Sequence, residues 1–151
     1  MREILFRGKR IDNSEWVQGC FLYDEEGNGA FIAEYFEDKA AYIREAIPKT
    51  VGQYTGLTDK NGKKIFEGDI IKDRENALHI AKIGEYYPDH YLRLCCNLSE
   101  PVKLCNLYGV YAERITNDEH EGDHFIIPPK NAVEVIGNIH DNPELLEGGA
   151  E

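Results

Sequence analysis

Three observations predict a mainly β fold. Asn61-Gly62 is a strong hairpin signal, because both central positions of a tight type I′ turn need positive φ and these two residues tolerate it. Apolar runs of strand length alternate with turn clusters along most of the chain. Nine Tyr, six Phe and one Trp, with many Ile and Val, favour strands over helices.

The elements follow in order. Ile4 to Arg7 leads into a turn at Ile11–Glu15, and Trp16 to Tyr23 makes the next strand before the glycine-bearing Asp24 to Gly29. Ala30 to Phe36 is a third run. Ala40 to Ile47 reads as a fourth strand, although Ala and Glu also suit a helix, and Pro48 ends it either way. Two strands meet at Asn61-Gly62. Ile65 to Ile71 then carries a Gly68-Asp69 step that permits a sharp bend, a feature that opens small SH3-like barrels. Further strands are expected at Leu78–Ile83, Tyr91–Cys95, Leu104–Tyr111 and Phe125–Ile127, the last stopped by Pro128-Pro129. Val133 to His140 is the closing strand. Asn142 and Pro143 then read as the cap and first residue of a short helix, with Leu145 and Leu146 as an apolar plug. Residues 148–151 read as a disordered tail. Val51–Thr55 faintly echoes Ile136–His140, which suggests equivalent or paired strands.

The whole is an N-terminal meander packed on a strongly bent SH3-like barrel or sheet, with a short C-terminal helical cap. Residues 1–147 form one domain, divisible into lobes 1–48 and 49–147, with a variable insert at 73–130.

The 151 residues suffice for a stable core, and 42% hydrophobic content argues for a globule. No apolar run reaches the roughly 20 residues of a membrane-spanning helix, and the first residues lack a signal-peptide stretch, so a soluble cytoplasmic protein is expected. Cys20, Cys95, Cys96 and Cys105 lack paired metal-type spacing and read as reduced thiols serving as small apolar residues. The net charge of −11 is uneven. Residues 1–59 carry seven basic and eleven acidic side chains, 60–112 eight and seven, 113–151 two and ten. The acidic last third would repel phosphate backbones and reads as a solvated face.

Three blocks carry a family resemblance. They are Met1-Arg2-Glu3-Ile4 with Phe6-Arg7-Gly8-Lys9 and Glu15-Trp16-Val17; Gln53-Tyr54-Thr55-Gly56-Leu57 with Asp59-Lys60-Asn61-Gly62 and Glu67-Gly68-Asp69-Ile70; and Val135-Ile136-Gly137-Asn138-Ile139 with Asn142-Pro143-Glu144-Leu145-Leu146. In order and wording they resemble the YopX family of small proteins encoded by bacteriophages and prophages of Gram-positive bacteria. The blocks cover about a third of the chain, and residues 73–130 match no pattern. The resemblance implies a mostly β fold, a phage or prophage origin and a host-cytoplasm location. The family brings no assigned catalytic residues. Gln53, Tyr54, Gly56, Asn61, Gly62, Gly68, Asp69, Gly137, Asn138 and Pro143 look like a fold signature of turns, hairpin and cap.

Candidate chemistry is sparse. His120 and His124, four apart within Asp118–His124, would share a helix face and suit a transition metal, but Gly122 and Asn117-Asp118 oppose a helix. The plainer reading is an acidic loop. Ser14 and Ser99 sit in turn-like contexts without a nucleophile elbow, and Glu67 with Asp69 mimics an acid pair. The plainer reading has Asp69 bonded to backbone and Glu67 exposed. Neither phosphate-binding glycine motif occurs. No metal or other cofactor is expected, and no catalysis. Lys60, Lys63 and Lys64, with Arg7, Lys9, Arg10, Tyr54 and Phe66, are the residues for weak nucleic-acid contact. The leading expectation is a non-catalytic protein-interaction module, a homo-oligomer with an exposed aromatic-rimmed patch, acting on a host or phage protein. The alternative is a nucleic-acid-related role, through the basic hairpin or through acidic mimicry of DNA.

Overall fold

Strand formation follows from the alternation of side chains to opposite faces, and β2 shows it residue by residue: Val17 and Gly19 are buried while Gln18 and Cys20 are exposed. The computed structural model describes residues 3–36, 41–86, 107–115, 124–127 and 132–147. Eleven strands occur among them: β1 Phe6–Lys9, β2 Trp16–Tyr23, β3 Ala30–Tyr35, β4 Ala41–Ala46, β5 Gly52–Thr58, β6 Lys64–Phe66, β7 Asp69–Lys72, β8 Leu78–Tyr86, β9 Leu107–Ile115, β10 His124–Phe125 and β11 Glu134–Asn138. The mainly β expectation is met, and β4 is the strand that Ala40–Ile47 suggested. The strands pair antiparallel in two sheets, and among the described residues neither closes into the barrel that the Gly68-Asp69 step suggested.

The chain divides into two compact units, Met1–Gly56 and Leu57–Glu151. In the first, the strand order is β4-β3-β2-β1-β5. The core face buries Val17, Ala30, Ile32 and Ala46, packed against Phe6, Phe21 and Val51. A 3-10 turn at Pro48–Thr50 leads into β5, where Thr50 Oγ1 accepts from the Lys9 N–H at 2.9 Å. Thus Pro48 ends β4 and begins the turn that returns the chain to β1.

In the second unit the strand order is β10-β9-β8-β7-β11. Its core is Ile65, Ile71, Ala81, Ala112, Ile127, Val133 and Val135, with Leu57, Val110 and Phe125 against it. The β8–β9 ladder is the longest, running from Leu78↔Ile115 to Tyr86↔Leu107. A register shift between Val135 and Gly137 bends β11 against β7. The echo between Val51–Thr55 and Ile136–His140 does not reflect pairing, since β5 pairs with β1 and β11 with β7.

Two local expectations are corrected. The Asn61-Gly62 loop is not a two-residue type I′ turn: Gly62 has φ +81° but Asn61 does not have positive φ. Asp59 N–H bonds Lys63 O at 2.8 Å and Gly62 N–H bonds Asp59 O at 3.0 Å, which defines a three-residue loop ending in a left-handed glycine. The Asp59 carboxylate decides between the forms by accepting from Asn61 and Lys63 N–H at 2.8 and 2.9 Å. At the C-terminal end, Pro143–Leu146 is a single 3-10 turn and not an α-helical cap. Pro143 does open it, but the Asn142 side chain makes no capping bond; its Oδ1 accepts from Asn138 N–H at 3.3 Å. Leu145 and Leu146 are half-buried and do not plug a core. The expected strand at 91–95 and the tail at 148–151 lie outside the described residues, as do Cys95, Cys96, Cys105, Ser99 and His120.

Candidate interaction surface

In an antiparallel sheet, residues directly opposite share a face. The register sets Cys20, Ala33 and Ile43 in one row across β2, β3 and β4, Leu22, Phe31 and Glu45 in the next, and Tyr35 beside Ala41. These residues alternate with Ala30, Ile32 and Ala46, which fill the core, so they form the opposite face. That face is not polar. Leu22 is 41% exposed, Tyr35 67% and Ile43 62%, and Cys20 is also exposed. Glu45 is the single ionisable carboxyl among them. Tyr42 and Arg44 belong to the other face, opposite Glu34 and Ile32; there Phe36 and Tyr42 meet edge to face with ring centroids 5.3 Å apart, and the Arg44 guanidinium lies 5.4 Å from the Tyr42 ring while its Nε donates to Glu34 at 3.3 Å.

β4 ends the strand order, and among the described residues its outer edge is bonded near its C-terminus. Ile11 N–H donates to Glu45 O at 3.1 Å and Ile47 N–H to Lys9 O at 2.8 Å, around a bridge between Arg10 and Ala46. The chain then turns at Asp12–Ser14, where Ser14 has φ +60° and its N–H bonds Arg10 O at 3.0 Å. A cleft of about 200 Å³ opens there, lined by Arg10, Ile11, Asp12, Ile43, Arg44 and Glu45. Arg10 Nε donates to Asp12 Oδ1 at 2.8 Å, and a second contact to Oδ2 makes the pair bidentate. This bond holds the Asp12 carboxyl below the usual carboxylate range.

The second unit places its polar side chains differently. Three buried or half-buried aspartates organise backbone. Asp59 is 3% exposed. Burial by itself would raise its carboxyl, but N–H donors from Val135 (3.1 Å), Lys63 and Asn61 outweigh that and hold it low. Asp69 accepts from Phe66 N–H at 2.8 Å, as the plainer reading of that residue expected; Glu67 is half-buried. Asp73 accepts from Glu75 N–H at 2.8 Å and Ala77 N–H at 3.0 Å, and from the ring Nε2–H of buried His79 at 2.9 Å. Burial pushes the Asp73 carboxyl up, and the His79 bond with the two amides more than reverses it. On the other face of β8 and β9, Glu113 sits 2.5 Å from Lys82 Nζ and 3.7 Å from His124 Nε2, beside stacked Tyr86 and Tyr111 at 5.3 Å. Burial raises the Tyr111 phenol.

The fold-signature residues sit where the chain bends or crosses itself. Gln53 faces Phe6 across β1 and β5, and Tyr54 N–H bonds Leu5 O at 2.7 Å. Gly56 and Gly68 both have φ +83°. A Cβ at Gly137 would lie 2.4 Å from Asn142 Oδ1, so a larger residue there has to displace the Asn142 side chain that packs on β11. Asn138 Oδ1 accepts from His140 and Asp141 N–H, both at 3.0 Å.

The nucleic-acid candidates are mostly engaged. Lys60 Nζ lies 2.5 Å from Glu134 Oε2, and this pairing draws the Glu134 carboxyl down. Lys63 is exposed and Lys64 half-buried. Arg7 is buried with its guanidinium 4.6 Å from the Trp16 ring, and Arg10 is held by Asp12. Tyr54 is 8% and Phe66 2% exposed, so neither ring offers a face to a base. Among the described residues, no three His, Cys, Asp or Glu side chains converge as a metal would need, and His124 is the described histidine of the acidic segment. The sequence pattern did not reveal the β4 cleft. Its one trace is that Tyr42 and Ile43 are both large and apolar on successive positions, which forces one of them off the core face.

The class this defines is a small antiparallel β protein in two units, with Leu22, Tyr35 and Ile43 exposed on one sheet face. The chain belongs to the YopX family: the model described as YopX protein matches residues 5–147. The comparison with curated proteins returns no match. Among solved structures, the chain is similar to the crystal structure of protein EF1440 from Enterococcus faecalis, 22% identical over 97% of this chain and 99% of that one, with a TM-score of 0.43. No helix among the described residues is long and apolar enough to cross a membrane.

Proposed function

We propose that this YopX-family protein is a non-catalytic protein-interaction module, phage- or prophage-encoded, that binds a host or phage protein in the bacterial cytoplasm through the outer face of β2, β3 and β4. The observation that supports this reading is the exposure of Leu22, Tyr35 and Ile43 on one sheet face whose opposite side already fills a core. An exposed apolar side chain on its own needs no explanation, whereas three on one face of neighbouring strands favour an interface. Tyr, with much apolar area and few rotors, suits such a role.

The test compares wild-type protein with Leu22→Asp and Tyr35→Asp as bait in bacterial lysate, with and without nuclease treatment. Both positions are exposed, so both variants keep the wild-type unfolding midpoint. The expected result is a protein retained by wild type and lost from each variant. Retention that nuclease abolishes, or that the two variants leave intact, contradicts the proposal; the former promotes the nucleic-acid reading.

A further inference from the structure

Glu45 O accepts from Ile11 N–H on the outer side of β4. Backbone groups alternate sides along a strand, and the β3–β4 register is continuous from Ala30↔Ala46 to Tyr35↔Ala41. The N–H and C=O of Ile43 and Ala41 therefore point outward as well, and among the described residues they have no partner. Natural sheets protect such an edge with charged side chains, lysine above all, with proline, with a bulge or with a covering segment. β4 carries no Lys, Pro or bulge; its charged residues are Arg44, bonded to Glu34, and Glu45, and Ile43 between them and Ala41 leaves 62% of its surface in water.

The cleft adjoins this edge. Ile11, 58% exposed, and Ile43 are its two apolar side chains, one from the β1–β2 turn and one from β4. Of its charged residues, Arg10 is bonded to Asp12 and Arg44 to Glu34. Glu45 is left as a carboxylate with no ion pair among the described residues. With Glu34 beside Arg44 counted, three carboxylates (Asp12, Glu34 and Glu45) stand against two guanidiniums at the cleft, in a chain of net charge −11.

We infer that the outer edge of β4, unpaired at Ile43 among the described residues, takes an extended basic segment of another protein by strand addition. That segment bonds the Ile43 N–H and C=O, seats an apolar side chain between Ile11 and Ile43, and sets a Lys or Arg against Glu45. Main-chain bonds supply affinity in this mode, and alternate side chains supply selectivity. A second copy fits less well, because each cleft would bring its own uncompensated Glu45 and the whole −11 charge to the contact. The inference rests on the reading of this unit as an interaction module and names the kind of partner for its edge.

A phage-displayed random heptapeptide library panned on the intact protein tests it. Selected sequences are expected to alternate β-branched or aromatic residues with others and to include Lys or Arg. A labelled peptide of the selected consensus, followed by fluorescence anisotropy, should bind Ile43→Pro and Glu45→Lys at least tenfold more weakly than wild type. Pro at 43 removes an outward N–H at an edge, where a strand tolerates it. Should that variant lose its β-sheet circular dichroism, Glu45→Lys carries the test, since it should also shift selection toward acidic peptides. The inference fails if nothing is selected, if the selected peptides are acidic, or if both variants bind them as wild type does. It fails equally if wild type is a dimer that Ile43→Pro converts to monomer, because the edge then belongs to a second copy. Peptide binding lost at Ile43 while Leu22→Asp still captures its protein partner would separate the cleft from the wider face.

Discussion

Asp59 shows how one side chain can hold two distant pieces of backbone. Its Oδ1 accepts from Asn61 and Lys63 across the hairpin loop, and its Oδ2 accepts from Val135 N–H, 76 positions away. Asn in its place would turn an amide N–H toward one of these donors and leave it buried and unbonded. Asp59→Asn is therefore expected to lower stability by about 1–3 kcal/mol at neutral pH, measured by urea unfolding. The folded-state carboxyl is held below its unfolded value, so its contribution is present above the unfolded pKa and lost as pH falls through the folded one. The gap between wild type and Asp59→Asn should thus narrow below about pH 4. A constant gap from pH 7 to pH 3 would contradict the role given to the carboxylate. Gly137 makes a steric counterpart. Its Cβ would press on Asn142 Oδ1, so Gly137→Ala should cost about 1–3 kcal/mol, with part of that recovered in the double variant with Asn142→Ala.

At the scale of the element, the β5–β6 hairpin separates two turn geometries that the dipeptide Asn61-Gly62 alone cannot. In a two-residue turn both residues need positive φ; in the three-residue loop only Gly62 does. Gly62→Ala is accordingly expected to cost about 1 kcal/mol and Asn61→Ala less than about 0.5 kcal/mol. Equal losses at both positions, in the same urea titrations, would restore the type I′ turn. The β4 edge follows a similar logic on a longer reach. Its pairing stops where the turn at Asp12–Ser14 leaves it, so the open backbone is set by a neighbour far away in sequence.

Charge acts on the whole molecule. A net −11 repels itself in the compact state, while the visible ion pairs, such as Lys60–Glu134 and Lys82–Glu113, are half-exposed and weak. Screening removes both terms, and the repulsion is the larger. The thermal midpoint should therefore rise as NaCl goes from about 20 mM, where the Debye length exceeds 20 Å, to about 300 mM, where it is near 6 Å. A midpoint that falls with salt would mean that the ion pairs outweigh the net charge.

The sequence by itself determined the β class, most strand positions, the family blocks and the places where glycine is required. Those depend on neighbours in the chain: alternation along a strand, φ at Gly62 and Gly68, proline ending β4. The tertiary structure decided what each exposed-looking residue touches. Tyr54 and Phe66 read as aromatic contacts and are core; Lys60 read as a free cation and meets Glu134 across 74 positions. The β4 cleft was illegible for the same reason. Tyr42 and Ile43 are adjacent apolar residues, and a one-residue shift of register exchanges their faces. Only the pairing of β4 with β3, and of its far end with Arg10 and Ile11, puts Ile43 in water beside Glu45, which has no ion pair among the described residues.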